Sequence, residues 1–197
     1  MDKKVGMISL GCPKNQVDAE IMLKKLVDAG YILVQEADKA DVVIVNTCGF
    51  IEDSKKESID AILEMVDFKE DGLLKKILVT GCLAQRFGAE VKAELPEIDV
   101  VLGIGENADI CNAVDAAYKG EGYCKIGDNM SLCFEGERVL TTPRYTAYLR
   151  ISDGCDNCCT YCTIPKIRGR FRSRKMEDIV AEATRLANRG VKELVIV

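Results

Sequence analysis

The chain has 197 residues, 48% of them hydrophobic, and a net charge of −5, enough for one large or two modest domains with real cores but not for a wholly basic nucleic-acid-binding segment. It holds ten cysteines and no histidine, which excludes Ser-His-Asp and Cys-His catalysis, HExxH sites and every zinc site built on imidazole. The start MDKKVGMISLGC has no long apolar stretch before a small-residue cleavage site, and no apolar run could span a bilayer, so a cytoplasmic protein without a membrane partner is expected. In a reducing compartment clustered cysteines hold metal rather than pair with each other, and thiolates favour zinc or iron–sulfur clusters.

In chain order, VGMISL (5–10) reads as a strand and QVDAEIMLKKLVDAG (16–30) as a helix. YILVQEA (31–37) and DVVIVNT (41–47) are β-rich runs, and IEDSKKESIDAILEMVDF (51–68) is helical. KKILVTG (75–81) reads as a strand, LAQRFGAEVKAEL (83–95) as a helix, IDVVLGIG (98–105) as a strand and ADICNAVDAAYKG (108–120) as a helix. Nearly continuous apolar strands alternating with helices predict an α/β fold whose parallel sheet is covered on both faces, of Rossmann or flavodoxin-like type. Only residues 38–40 separate the second and third strands, short for a parallel crossover.

Residues 121–144, richer in turn residues, are expected to form a linker, with room for a small hairpin. YTAYLRIS (145–152) reads as a strand, KMEDIVAEATRLANRG (175–190) as a helix and VKELVIV (191–197) as a strand. The expected organisation is therefore a domain over 1–120, a linker over 121–144 and the start of a second, incomplete domain over 145–197. One strand–helix–strand unit cannot bury both faces of its strands, so a fragment of a longer protein is expected, inactive alone.

Cys12, Cys48 and Cys82 each directly follow an apolar strand, in MISLGC, VVIVNTC and ILVTGC. In a parallel sheet the carboxyl ends of the strands share one edge, where ligands bind and helix N-termini converge. The three thiols are expected to meet there as one metal site. A single such cysteine would read as a small buried hydrophobe. Cys111 is expected in the core, and Cys124 and Cys133 have no metal-site context. Lys14, Asn15 and Asn46 lie beside the cluster candidates, with Asn15 also readable as a helix N-cap.

The loop CDNCCTYC (155–162) offers two three-thiol sets, one through Cys158 and one through Cys159. Adjacent side chains point apart in extended backbone, so one of the two is a bystander. Three thiolates on a four-iron cluster leave one iron open for substrate. The basic island of Lys166, Arg168, Arg170, Arg172, Arg174 and Lys175 follows, able to grip carboxylates or RNA phosphates, or to be a solvated loop.

A C-x3-C-x-(aromatic)-C loop after a first barrel strand resembles the radical S-adenosylmethionine enzymes. That resemblance selects Cys155, Cys159 and Cys162 as cluster ligands and implies an open iron that chelates S-adenosylmethionine and cleaves it to a 5′-deoxyadenosyl radical. Tyr161 and Arg168 become candidate contacts to that cosubstrate. Together, the two constellations resemble the methylthiotransferases, whose N-terminal three-cysteine domain carries an auxiliary four-iron, four-sulfur cluster ahead of a radical (β/α) barrel, here truncated. SLGCPKNQVDAE, NTCGFIEDSKKESID, GCLAQR and IPKIRGRFRSR resemble the RimO type. The resemblance implies two 4Fe-4S clusters and S-adenosylmethionine as cofactors. It also implies an external electron donor, and methylthio transfer to an aspartate β-carbon of the twelfth small-subunit ribosomal protein, with ribosomal RNA nearby. The alternatives are a tRNA adenosine methylthiotransferase and, in another class, a non-catalytic iron–sulfur or zinc-binding module.

Overall fold

A computed structural model describes residues 3–131 and 136–197. Cys133 lies outside the described residues. The chain runs β1 (Lys4–Ser9), α1 (Pro13–Asp28), β2 (Ile32–Val34), β3 (Val42–Thr47), α2 (Glu52–Glu70), β4 (Lys76–Gly81), α3 (Cys82–Glu94), β5 (Val100–Leu102), α4 (Ile110–Lys119) and β6 (Tyr123–Lys125). These strands form one six-stranded sheet in the order β2-β1-β3-β4-β5-β6, and every pairing is parallel. The first five follow the flavodoxin-like order, with the switch of direction between β1 and β3.

Alternation along the strands builds two cores. Val42 and Ile44 face α1 and α4, packing with Met22, Leu26, Ile110 and Val114. Val43 and Val45 face the other way, with Ile62, Met65, Leu83 and Ala84 of α2 and α3. Covered on both faces, the central strand β3 is buried along its whole length.

The short link between the second and third strands is explained by their places in the sheet. β2 and β3 flank β1 on opposite sides, and Val34 stands opposite Gly6 while Val42 stands opposite Val5. The chain therefore steps back by one residue level as it crosses β1. A single 3-10 turn, Ala37–Lys39, makes that step, and Ala40 packs into the core on the α2 side. The stretch expected to be linker supplies β6, which lies parallel to β5 as the sheet's last strand.

Beyond it come β7 (Thr146–Leu149), β8 (Ser152–Asp153), α5 (Ile164–Arg168), β9 (Arg172–Ser173), α6 (Met176–Asn188) and β10 (Glu193–Ile196). β7 and β10 pair in parallel around α6, and Leu186 of α6 packs on Ala147 and Val191. β8 and β9 form a short antiparallel pair that brackets the cysteine loop and α5. The chain is thus an α/β protein with a doubly wound parallel sheet followed by a β–α–β unit.

Buried ion pairs fasten that unit to α1. Asp18 accepts hydrogen bonds from Arg150 and, at 2.6 Å, from Arg168. Glu20 accepts from Arg138 at 2.8 Å and from the Thr141 amide at 2.8 Å. Arg138 and Arg174 meet on Glu182 of α6. Removing one partner of such a pair leaves an uncompensated buried charge at a cost of about 3–5 kcal/mol. Among the described residues no helix is long and apolar enough to cross a membrane.

Candidate metal centre

Cys12, Cys48 and Cys82 follow β1, β3 and β4 respectively, so their backbones lie at the carboxyl edge on or beside the β1/β3 switch. Parallel sheets open a ligand-binding crevice at that point. The three residues line one cavity of about 730 Å³. Cys12 is the N-cap of α1 and Cys82 the first residue of α3, so two helix N-termini direct their free N–H groups to this edge.

Two glycines set the close approach. Gly11 has φ +91°, and a Cβ there would stand 2.9 Å from Cys48 Sγ. Gly81 has φ +98°, and a Cβ there would meet the Thr47 carbonyl oxygen at 2.3 Å. Cys48 is also held through its backbone: its N–H donates to Ser58 Oγ at 2.9 Å, and the Ser58 hydroxyl donates back to its carbonyl.

Asn15 lies within α1 rather than at its cap. Its Nδ2 donates to the Leu10 carbonyl at 2.7 Å and the Thr47 carbonyl at 3.2 Å, tying the ends of β1 and β3 together. Asn46 Nδ2 donates to Ser9 Oγ and to the Asn15 carbonyl. Lys14 lines the cavity and donates from Nζ to the Ser152 carbonyl at 2.6 Å; burial lowers its pKa. Burial likewise pushes the Cys82 thiol up to about 11, against the pull of Arg168. Cys111 is half-buried against the α1/α4 core, and Cys124 sits exposed on the edge strand β6.

Arg168 joins this cavity from the C-terminal unit. Its Nη2 lies 3.6 Å from Cys82 Sγ, while Nη1 is engaged by Asp18 and, at 3.3 Å, Asp153. Arg168 is 2% exposed. The basic island is therefore not one solvated loop: Arg168 and Arg174 are buried in ion pairs, and Arg172 donates to the Met130 carbonyl. The resemblance offers Arg168 as a cosubstrate contact, but its place beside Cys82 has no local signal, because Asp18, its partner, reads as the polar side of a helix 150 residues away.

The second cysteine loop is open. Cys158 and Cys159 are exposed, Cys155 and Cys162 partly so, and Tyr161 is 85% exposed. Cys155 and Cys158 line a shallow cavity of about 400 Å³ with Arg170. Gly154, at the start of this loop, and Asp153 line the first cavity with Cys12, Cys48 and Cys82, so the loop begins at the wall of the other site.

Among the described residues no three thiols or carboxylates stand close enough to share one metal ion. A multi-iron cluster needs no such spacing, because each thiolate takes a different iron. The donor chemistry fits such a cluster. Three thiols border one cavity at two helix N-termini, with a cation beside one sulfur and no imidazole in the chain.

The family described as Uncharacterized protein family UPF0004 matches residues 4–103, the stretch that carries β1 to β5 and all three strand-end cysteines. The chain belongs to the UPF0004 family. The Radical SAM superfamily matches residues 149–197, which hold the second cysteine loop. Among curated relatives of this UPF0004 chain, the "Ribosomal protein uS12 methylthiotransferase RimO" of Clostridium tetani is 52% identical over 98% of this chain and 44% of its own length. The protein of that name from Pelotomaculum thermopropionicum is 52% identical over 100% of this chain and 45% of its own. That from Thermoanaerobacter sp. is 50% identical over 99% and 45%. The chain spans less than half the length of the curated relatives it matches. The resemblance to RimO-type methylthiotransferases read from the cysteine motifs is borne out by these matches.

Proposed function

We propose that this chain serves a cytoplasmic radical S-adenosylmethionine methylthiotransferase that adds a methylthio group to the β-carbon of an aspartate in the twelfth small-subunit ribosomal protein. The observation that carries the reading is the shared cavity: Cys12, Cys48 and Cys82 line it together with Asp153 and Gly154, which lead directly into the Cys155–Cys162 loop. A reaction that uses both cysteine sets on one substrate requires such neighbouring sites. The RimO names of the relatives support the substrate assignment.

In this reading Cys12, Cys48 and Cys82 hold an auxiliary 4Fe-4S cluster, and Cys155, Cys159 and Cys162 hold a second one with an open iron. When bound, the clusters supply sulfur handling at the first site and one-electron cleavage of S-adenosylmethionine at the second. The chain's own residues hold the thiolates at the sheet edge, through Gly11, Gly81 and Ser58, and fix the second loop against α1 through Asp18. Tyr161 is the candidate contact to S-adenosylmethionine, and an external reductant supplies electrons. In this scheme residues 1–120 together with β6 form the auxiliary-cluster domain, the rest of 121–144 the joining segment and 145–197 the start of the radical domain.

The deciding experiment offers ribosomal protein and tRNA side by side to a methylthiotransferase carrying this chain. Methylthio-aspartate in the ribosomal protein is the expected product. Methylthio-adenosine in tRNA instead, or no transfer to either, would refute the assignment.

A further inference from the structure

We infer that Arg168 is a positioning residue through which the second unit acts on the first cysteine site: its guanidinium donates to the Cys82 sulfur and offsets negative charge there, setting how readily a cluster on Cys12, Cys48 and Cys82 is reduced. The inference rests on the reading of those three cysteines as cluster ligands.

The geometry is specific. Arg168 ends α5, the helix that follows the second cysteine loop, and the preceding Ile167 packs against Cys82 and Ile104. The guanidinium is thereby carried into the wall of the first cavity, where one edge meets carboxylates and the other meets sulfur. Nη1 donates to Asp18 at 2.6 Å and Asp153 at 3.3 Å. Nη2 lies 3.4 Å from Asn15 Oδ1 and 3.6 Å from Cys82 Sγ. Arginine presents this fork in one plane, so fixing Nη1 aims Nη2.

The charged groups around the site balance, and Arg168 is the cation placed on the sulfur. Lys14 and Glu57 line the cavity with Arg168 and Asp153, while Arg150 pairs with Asp18 behind it. Arg168 meets both Asp18 and Asp153, and its Nη2 is left for Cys82 Sγ at 3.6 Å. Reduction adds one electron, supplied by a low-potential one-electron reductant, and makes the centre more negative by one charge. A buried cation and a hydrogen bond at a ligand sulfur stabilise that form and raise the potential.

The test is a reductive titration of the reconstituted chain in which Cys155, Cys159 and Cys162 are replaced by alanine, followed by electron paramagnetic resonance. Arg168→Gln should lower the midpoint by about 60 mV if its loss cuts the preference for the reduced form tenfold. Arg168→Lys keeps the charge but not the fork and should lower it by less. Asp153→Asn leaves Asp18 to hold Nη1, removes a nearby negative charge and should raise it. Opposite shifts from two substitutions that both disturb the ion pairs cannot come from a loosened fold. If Arg168→Gln does not hold iron, Arg168→Lys and Asp153→Asn carry the test. An unchanged midpoint in the Arg168 variants, or shifts of one sign in Arg168 and Asp153 variants alike, overturns the inference. Absence of iron from the parent chain overturns the cluster reading, and this inference with it.

Discussion

Ser58 of α2 and Cys48 are joined by a reciprocal pair of hydrogen bonds, each 2.9 Å, between one hydroxyl and the backbone N–H and C=O of the cysteine. Ser58 is fully buried, so the hydroxyl holds the turn after β3 with no competition from water. Ser58→Ala leaves a buried amide and a buried carbonyl unpaired, at a cost of about 1–3 kcal/mol. Thermal unfolding of the variant should show that loss, together with faster release of iron to a chelator. Unchanged iron retention would show that Cys48 is held by other contacts.

Gly11→Ala is expected to damage the first site more than the fold. The added Cβ would point at Cys48 Sγ and its backbone would keep a φ that side chains rarely adopt. Iron bound after anaerobic reconstitution should fall several-fold while circular dichroism stays close to that of the parent. Full iron content would mean that the Gly11 turn can relax away from Cys48.

Within the second loop, Cys159→Ala should abolish the cluster and Cys158→Ala should leave it nearly intact. The measurement is iron per chain with Cys12, Cys48 and Cys82 already replaced by alanine. The reversed outcome would make Cys155, Cys158 and Cys162 the ligands, in keeping with the cavity that Cys155 and Cys158 share.

Asp18 predicts an acid limit to stability. Burial raises its carboxyl pKa, but Arg168 and Arg150 pull harder, and the net position is below the ordinary 3.8. A folded-state pKa below the unfolded one stabilises fully above the unfolded value, and that stabilisation is lost as pH falls through the folded one. Denaturant unfolding should therefore show parent and Asp18→Asn farthest apart near neutral pH and converging below about pH 4. A constant gap down to about pH 3 would contradict this sign.

What could be read in the sequence follows from element length and from the range of the interactions. β1, β3 and β4 announce themselves as six-residue runs rich in apolar residues, with a cysteine directly after β3 and β4 and three residues after β1, and the edge on which those cysteines lie follows from parallel topology alone. β6, β8, β9 and α5 span two to five residues each, too short for any periodicity to show. Asp18 and Glu20 look like the polar side of an amphipathic helix, and only the partners at Arg150, Arg168 and Arg138 make them buried anchors. The place of Arg168 beside Cys82 depends on that long-range pairing and had no local signal.

The central claim is that the three strand-end cysteines hold one iron–sulfur cluster. The measurement is iron, zinc and acid-labile sulfide per chain after anaerobic reconstitution of the Cys155, Cys159 and Cys162 triple alanine variant, alone and with Cys12, Cys48 or Cys82 further replaced. About four irons and four sulfides per chain are expected for the triple variant, with each further substitution lowering both. Zinc without acid-labile sulfide, or iron indifferent to all three replacements, would contradict it.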